Sequence, residues 1–179
     1  VEFIEDDYRN ASGQCDAFVS VGMLEHVGPG HYRTLGKVID RCLVPEGRGL
    51  IHNIGRDRVA ALNPWIRKRI FPGAYPPTLR EMMAIFEPNR FSVLDIENLR
   101  PHYARTCADW LQNFETVTDR VTERFDEAFT RMWRLYLAGA SAGFRSGTLQ
   151  LYQVLFTPRG NNDVPWTRHY QYPDIAETR

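Results

Sequence analysis

The sequence predicts an α/β fold built on a parallel sheet, and three observations carry this prediction. The apolar, β-branched runs at 17–21 and 49–55 are typical of buried strands, and a glycine follows or ends each of them. Between the two runs, apolar residues repeat at helical spacing from Tyr32 to Leu43. A strand, a helix and a second strand in this order form the unit from which parallel sheets are assembled.

The start of the chain poses a topological puzzle. We expect a short strand at 1–5, but only about ten residues join it to the strand at 17–21, fewer than a parallel crossover usually needs. Either these two strands are antiparallel, or strands that lie between them in the sheet are absent. The sequence begins inside a predicted strand rather than with methionine, so we expect an upstream part to be missing.

Residues 62–88 differ in character from the rest of the chain. They are aromatic, basic and interrupted by prolines, and they are too numerous for an ordinary connection. We expect a helical excursion that covers the sheet as a lid or cap. Within it, Thr78 is the expected N-cap of a helix over 79–86.

The last part of the chain predicts strands at 91–99 and 149–157, separated by two long helices. The first helix runs from about 103 to 122. In the second, large apolar residues recur at helical steps from Phe125 to Ala140, a stripe typical of core packing. Residues 1–158 are expected to form one domain, followed by a polar tail at 159–179.

The composition argues against several classes of function. Acidic and basic side chains balance at 22 each without a basic run, so nothing indicates nucleic-acid binding. No apolar run approaches the ~20 residues of a membrane-spanning helix, and no secretory signal opens the chain. No histidine has a known zinc spacing, and we expect no metal site. The cysteines form neither a metal motif nor a disulfide framework, which fits a reducing cytoplasm; they are Cys15, Cys42 and Cys107.

Chemically active side chains follow the predicted strands. Glu25 and His26 come just after the strand at 17–21, and His52 lies inside the next strand. Ligands of open α/β sheets bind at the carboxyl ends of strands, so Glu25 and His52 are expected to meet in one cleft. There they could hold a polar ligand or move a proton. The structural alternatives are a Glu25 that caps or pairs on a loop, a His52 bonded within the core, and a purely structural Tyr103.

Other catalytic motifs are missing from the sequence. There is no Gly-x-Ser-x-Gly turn of the kind that carries a hydrolase nucleophile, and no three-glycine dinucleotide fingerprint. The constellation at the strand ends is therefore the candidate site that remains.

Five motifs occur together and in order: 19–28, 50–55, 70–73, 101–106, and 144–147 followed by 149–154. Together they resemble the cyclopropane-fatty-acyl-phospholipid synthases and the related mycolic acid cyclopropane synthases. The resemblance runs from Val1 to about Pro158.

The resemblance implies a class I S-adenosylmethionine-dependent methyltransferase fold, a Rossmann-like sheet of order 3-2-1-4-5-7-6. Residues 1–5, 17–21 and 50–54 would be its third, fourth and fifth strands, and the two later strands its sixth and seventh. Strands 1 and 2, with the glycine-rich cofactor loop, would lie upstream. This incomplete sheet with a helical cap resolves the crossover puzzle, and the fragment alone is expected to bind cofactor poorly and to be inactive.

The activity implied for the parent protein is methylene transfer from S-adenosylmethionine to a cis double bond of a phospholipid acyl chain, which forms a cyclopropane ring. Three alternatives stay open. The enzyme could stop at methylation and make a methyl-branched lipid, it could methylate a small amine, or the chain could be an inactive fragment.

The resemblance also implies roles for individual residues. Glu25, His52 and Tyr103 would be catalytic and would hold a bicarbonate ion, with main-chain groups of Gly22 and Ile54. Cofactor contacts are implied for five residues, of which the first three would lie against the adenine: Asp7, Tyr8, Arg9, Gly22 and His26. Many relatives carry a cysteine where this chain has Ala140, so an essential thiol at that position is in doubt.

The expected partners are lipids. Residues of the excursion would contact an unsaturated acyl chain, namely Trp65, Ile66, Ile70 and Phe71. The run Arg67, Lys68 and Arg69 either meets anionic headgroups or forms a solvated helix face. The resemblance implies a cytoplasmic protein with peripheral membrane contact and allows a homodimer.

Overall fold

The structure, a computed structural model, describes residues 1–172 and contains a mixed four-stranded sheet of order β1-β2-β4-β3. β1 pairs in parallel with β2, and β4 is antiparallel to both β2 and β3. This order equals the 4-5-7-6 portion of the expected methyltransferase sheet, so four predicted strands are confirmed. The strands are β1 (Cys15–Val21), β2 (Leu43–Arg56), β3 (Phe91–Asn98) and β4 (Leu149–Pro158).

The predicted strand at 1–5 is wrong, because these residues form no strand in the structure. Within residues 1–172 the sheet ends at β1, and residues 1–5 do not pair with its outer edge, so their backbone has no ladder partner. A lone strand without a ladder or a packed face is not stable in water. The apolar side chains Phe3 and Ile4 are accordingly exposed, as are Val19 and Val21 on β1.

One face of the sheet carries the main core. Helices α2 (Tyr32–Cys42) and α4 (Leu79–Phe86) pack there against the side chains of β2 and β4. Thr78 caps α4 as predicted, and Glu81 completes a capping box by accepting from the main chain of Thr78. The fully buried members of this core include Tyr32, Leu35, Ile39, Ile51, Met82, Ile85, Phe86, Val154 and Phe156.

The opposite face carries three helices, α5 (Arg100–Glu115), α6 (Thr118–Arg124) and α7 (Glu127–Ser146). The single helix predicted over 103–122 is interrupted at Thr116. There both the main-chain N–H and the hydroxyl of Thr116 donate to the carbonyl of Asn113, which closes the helix with a tighter turn. The second predicted helix, with its apolar repeat from Phe125 to Ala140, is confirmed as α7, which begins two residues after Phe125.

The α5 and α7 helices are in close contact. The buried Ser141 hydroxyl donates to the Ala104 carbonyl at 3.0 Å, and a second apolar cluster joins both helices to β4 through Cys107, Phe144 and Leu151. No helix within residues 1–172 combines the length and apolar character needed to cross a bilayer.

Two short helices complete the fold around the strand ends: α1 (Leu24–Val27) after β1, and α3 (Pro64–Arg69) in the excursion. The start of the predicted tail is tied to β2, because the Asn161 side chain donates to the Glu46 carbonyl at 3.0 Å. Residues 173–179 of that tail lie outside the described residues.

Candidate functional site

A cavity of about 650 Å³ lies between the ends of β1 and β2, the excursion, and the α5–α7 pair. Its walls are mainly apolar, with a few polar groups at the strand ends. Its lining includes Gly22, Glu25, His26, Ile54, Arg56, Trp65, Ile66, Phe71, Ala74, Pro76, Tyr103, Cys107, Leu135, Tyr136, Gly139 and Ala140.

Glu25 reaches this cavity because β1 stops abruptly. Gly22 adopts a φ of +66°, which favours glycine, and its N–H donates to the His52 carbonyl at 2.9 Å. The chain then turns into α1, whose Leu24 is fully buried and whose Glu25 is 6% exposed. The turn thus places a carboxylate at the carboxyl end of the sheet, as the sequence predicts.

The Glu25 carboxylate is only half satisfied. Oε1 accepts a hydrogen bond from the Ile54 N–H at 2.5 Å, whereas the buried Oε2 has no partner among the described residues. Burial raises the pKa of Glu25 above its usual value, although the Ile54 N–H opposes this shift. A buried oxygen without a partner is costly unless a ligand supplies a hydrogen bond.

Tyr103 lies in the first turns of α5 and lines the same cavity. Its ring makes edge contacts with Trp110 at 5.9 Å and with Phe144 at 5.0 Å, between centroids. Burial, then the nearby Cys107 and Glu25, raise the pKa of Tyr103. The phenol therefore keeps its proton at neutral pH and is a hydrogen-bond donor near the carboxylate.

His52 does not line the cavity with these residues. It lies on β2 two residues before Ile54, so both side chains belong to the same face of the strand. Burial alone lowers the pKa of its imidazole. The structure thus brings Gly22, Glu25, His26, Ile54 and Tyr103 to one cavity and leaves the His52 side chain beside it.

The predicted adenine segment also lies outside the cavity lining. The Asp7 carboxylate pairs with Arg9 at 2.7 Å, and the Arg9 guanidinium lies 4.9 Å from the ring centroid of Tyr8. Arg41 of α2 binds the carbonyl oxygens of Arg9 and Ala11 and so fixes this segment against α2.

Of the predicted acyl-chain contacts, Trp65, Ile66 and Phe71 line the cavity, and Ile70 does not. The adjacent basic run over 67–69 is exposed and forms no ion pair within residues 1–172. The cavity therefore has apolar walls beside a cationic helix end.

Sequence reasoning missed Tyr136, which it assigned to a core stripe. The ring of Tyr136 packs against Phe71 at 5.7 Å and lines the cavity, and burial raises its pKa to about 12. The helical spacing of the stripe was correct, but spacing alone does not tell a core face from a cavity wall. In the part of the chain that the structure describes, no group of three or more His, Cys, Asp or Glu side chains could hold a metal ion.

The mycolic acid cyclopropane synthetase family model matches residues 1–154. The cyclopropane-fatty-acyl-phospholipid synthase of Escherichia coli (strain K12) is 38% identical over 158 residues, which are 88% of this chain and 41% of that protein. The tuberculostearic acid methyltransferase UfaA1 of Mycobacterium tuberculosis is also 38% identical, over 82% of this chain and 36% of that protein.

Solved structures agree on the fold. The cyclopropane synthase MmaA2 from Mycobacterium tuberculosis has a TM-score of 0.76 at 24% identity, and the match covers 84% of this chain and 57% of that chain. The mycolic acid cyclopropane synthase CmaA1 complexed with SAH and CTAB gives the same values. The chain spans less than half the length of these two curated relatives, and by its family match it belongs to the mycolic acid cyclopropane synthetase family.

Proposed function

We propose that this chain carries part of the active site of an enzyme that transfers a methylene group from S-adenosylmethionine to a cis double bond of a phospholipid acyl chain, forming a cyclopropane ring. One observation carries the proposal: Glu25, whose Oε2 is buried without a partner, lines a largely apolar cavity together with Tyr103. Apolar walls suit an acyl chain, and the two polar groups suit a small hydrogen-bonding ligand.

Bicarbonate fits the polar end of this cavity. Its O–H would donate to Oε2 of Glu25, and its oxygens would accept from the Tyr103 phenol. The N–H groups of Gly22 and Ile54 already donate to His52 and Glu25, so these two main-chain positions offer the anion no free donor, and the proposed site depends on side chains. His52 is proposed as the third side chain because it shares a strand face with Ile54.

Each small molecule would supply one part of the chemistry. S-adenosylmethionine, when bound, supplies an electrophilic methyl group, and bicarbonate supplies the base that takes the proton lost on ring closure. Gly22 and His26 line the cavity where the cofactor is proposed to bind, with 7–9 at the adenine. The faces of Phe71, Tyr103 and Tyr136 would stabilise positive charge on the alkyl chain, because aromatic faces attract cations.

The basic end of α3 is proposed to contact anionic headgroups. Trp65 and Ile66 of this helix line the cavity, while Arg67, Lys68 and Arg69 are exposed on it. An acyl chain could thus enter an apolar cavity while its headgroup stays near the positive charges. We place the enzyme in the cytoplasm, with peripheral membrane contact.

The test is an assay of the protein as its host makes it, with S-adenosylmethionine and vesicles of unsaturated phospholipid. The expected product gains one CH2 and loses the alkene signal in mass and NMR spectra. A protein that forms no adenosylhomocysteine with these vesicles contradicts the proposal and favours an inactive fragment.

Methylation without ring closure is the second candidate. It is favoured by the tuberculostearic acid methyltransferase, which has the same 38% identity to this chain as the synthase, over a slightly smaller share of it. In the same assay, a branched product that gains one CH2 and keeps an alkene selects this reaction, because the cation then loses a proton without closing a ring.

A further inference from the structure

A tyrosine and a carboxylate behind the cavity wall are connected to Glu25. Tyr75 and Glu81 do not line the cavity, although Ala74 and Pro76 on either side of Tyr75 do. We propose that Tyr75, held by Glu81, is a positioning residue that fixes the direction of the free oxygen of Glu25. This inference rests on the proposed function, in which Glu25 acts directly on the ligand.

The first step is that Glu25 is held from outside its own helix. α1 has only four residues, so hydrogen bonds within the helix do little to fix it. The Tyr75 N–H donates to the Glu25 carbonyl at 2.7 Å, and the Ile54 N–H donates to Oε1 at 2.5 Å. The first bond holds the main chain of Glu25, and the second holds one oxygen of its carboxylate. Together they set the direction in which the other oxygen, Oε2, points.

The second step is that Tyr75 is itself anchored to the core. Its phenol donates to Oε1 of Glu81 at 2.6 Å, and Oε2 of Glu81 accepts from the N–H and hydroxyl of Thr78 at 2.8 and 2.9 Å. Glu81 lies in the first turn of α4, whose Met82 and Ile85 are fully buried. The bond to Glu81, followed by burial, raises the pKa of Tyr75, so the phenol remains a donor at neutral pH.

The third step is that the segment between Tyr75 and the cap of α4 has little freedom to move. The Arg56 N–H at the end of β2 donates to the Pro77 carbonyl at 2.9 Å, and Arg56 forms an isolated parallel bridge with Thr78. Only two residues separate Tyr75 from the cap of α4. A shift of the Tyr75 ring is therefore passed to its own N–H and from there to Glu25.

The test compares two variants of the protein as its host makes it. Tyr75→Phe keeps the ring and the main-chain N–H and removes only the bond to Glu81. Thr157→Val, the control, removes a buried hydroxyl that donates to the Gly47 carbonyl at 2.8 Å and lies outside the cavity lining, so it leaves the bonds of Tyr75 and Glu81 intact. Because misplacement of a reacting group by an ångström can cost ~100-fold, we expect Tyr75→Phe to lower kcat by about tenfold or more, with KM for lipid and cofactor unchanged. Thr157→Val should keep the wild-type kcat.

A double-mutant cycle then shows whether Tyr75 acts through Glu25. In a Glu25→Asp background, where the shorter carboxylate is already out of place, Tyr75→Phe should cost much less than in the wild type. An equal cost in both backgrounds, or a wild-type kcat in Tyr75→Phe, would overturn the inference. If Tyr75→Phe does not fold, Glu81→Gln should keep a higher kcat than Glu81→Ala, because only glutamine keeps an oxygen for the phenol. Equal kcat values for Glu81→Gln and Glu81→Ala would contradict the positioning role.

A measurement without turnover separates this inference from the proposed function. The Ile54 amide is bonded to Oε1 of Glu25, so its hydrogen exchange reports how firmly Glu25 is held. We expect faster exchange at Ile54 in Tyr75→Phe and wild-type exchange in Thr157→Val. A wild-type protein that makes no lipid product defeats the proposed function, whereas unchanged exchange at Ile54 defeats the positioning role.

Discussion

The carboxylate of Glu25 accepts a hydrogen bond from the Ile54 N–H through one oxygen and buries the other without a partner. This arrangement suits ligand binding better than stability, because a buried acceptor loses its bonds to water.

Glu25→Gln should separate the two roles of this residue. Glutamine keeps an oxygen for Ile54 but puts an NH2 donor in place of Oε2, so it cannot accept from the O–H of the proposed bicarbonate. Because the base is then no longer held, turnover should fall by at least ~100-fold, as for loss of a general base. Burial raises the pKa of Glu25 from 4.5, so its contribution to folding is present at acidic pH and is lost as the pH rises through the raised value. We therefore expect the variant to gain stability relative to wild type between pH 4 and neutral pH, measured by urea unfolding.

Glu115→Gln is the control for that experiment. Glu115 forms an exposed pair with Arg134 at 2.5 Å, and this hydrogen bond lowers the pKa of Glu115. Relative to wild type, the free energy of unfolding of Glu115→Gln should fall as the pH rises, which is opposite to the change expected for Glu25→Gln. A Glu25→Gln protein with wild-type turnover would rule out the proposed role.

His52→Gln should change the acid stability of the protein. Burial lowers the pKa of His52 from 6.5, so its contribution to folding is present above that value and is lost as the pH falls through the lowered pKa. The wild type should thus lose stability between neutral and mildly acidic pH, and the variant should lose less. Parallel curves of unfolding free energy against pH would contradict this expectation.

Tyr103→Phe should preserve the fold and impair the reaction. The ring contacts with Trp110 and Phe144 remain, while the donor near Glu25 is removed. We expect an unchanged Tm and a fall in turnover of ~100-fold, in the range for loss of an aligned donor. If added bicarbonate stimulates the wild type, the variant should need more of it for half-maximal rate.

Two glycine-to-alanine substitutions should have opposite effects on stability. A Cβ on Gly49 would lie 2.1 Å from Cζ of Phe156, its partner on β4, so Gly49→Ala should destabilise by about 1–3 kcal/mol, as for overpacking. On Gly139 of α7 a Cβ meets nothing within 4 Å. Gly139→Ala should stabilise by about 0.5–1 kcal/mol, since alanine favours a helix. Urea unfolding of both variants checks the pair.

The basic end of α3 should govern membrane binding. Replacing Arg67 and Lys68 by glutamine should weaken binding to anionic vesicles by about 2 kcal/mol, at about 1 kcal/mol for each charge, which is ~30-fold. The matched control replaces Arg33 and Lys37, exposed residues of α2 on the other face of the sheet, and should change binding little. Equal losses in a sedimentation assay would show that net charge, not α3, is responsible.

The sequence was most informative where local rules decide the structure. The glycine after β1 and the Thr78 cap are set by neighbouring residues, and the structure has both. The strand predicted at 1–5 failed because a strand depends on partners, which hydrophobicity alone does not supply. The break at Thr116 was missed because its side-chain bond to Asn113 competes with helix geometry.

The candidate site was predictable only in part for a similar reason. Glu25 follows a strand, and strand ends form clefts, so its place could be inferred. Tyr103 was predicted as a site residue only from the family resemblance. Tyr75 contacts Glu25, and Tyr136 contacts Phe71, across segments far apart in the chain, and no spacing rule connects such residues.

The outer side of β1 has a practical consequence. In the part of the chain that the structure describes, β1 has a neighbouring strand on one side only, and Val19 and Val21 are exposed on it. An edge strand with unpaired main-chain N–H and C=O groups and exposed valine side chains can pair with a strand of another molecule. Preparations of these 179 residues alone should therefore be checked by light scattering for self-association before any lack of turnover is assigned to chemistry.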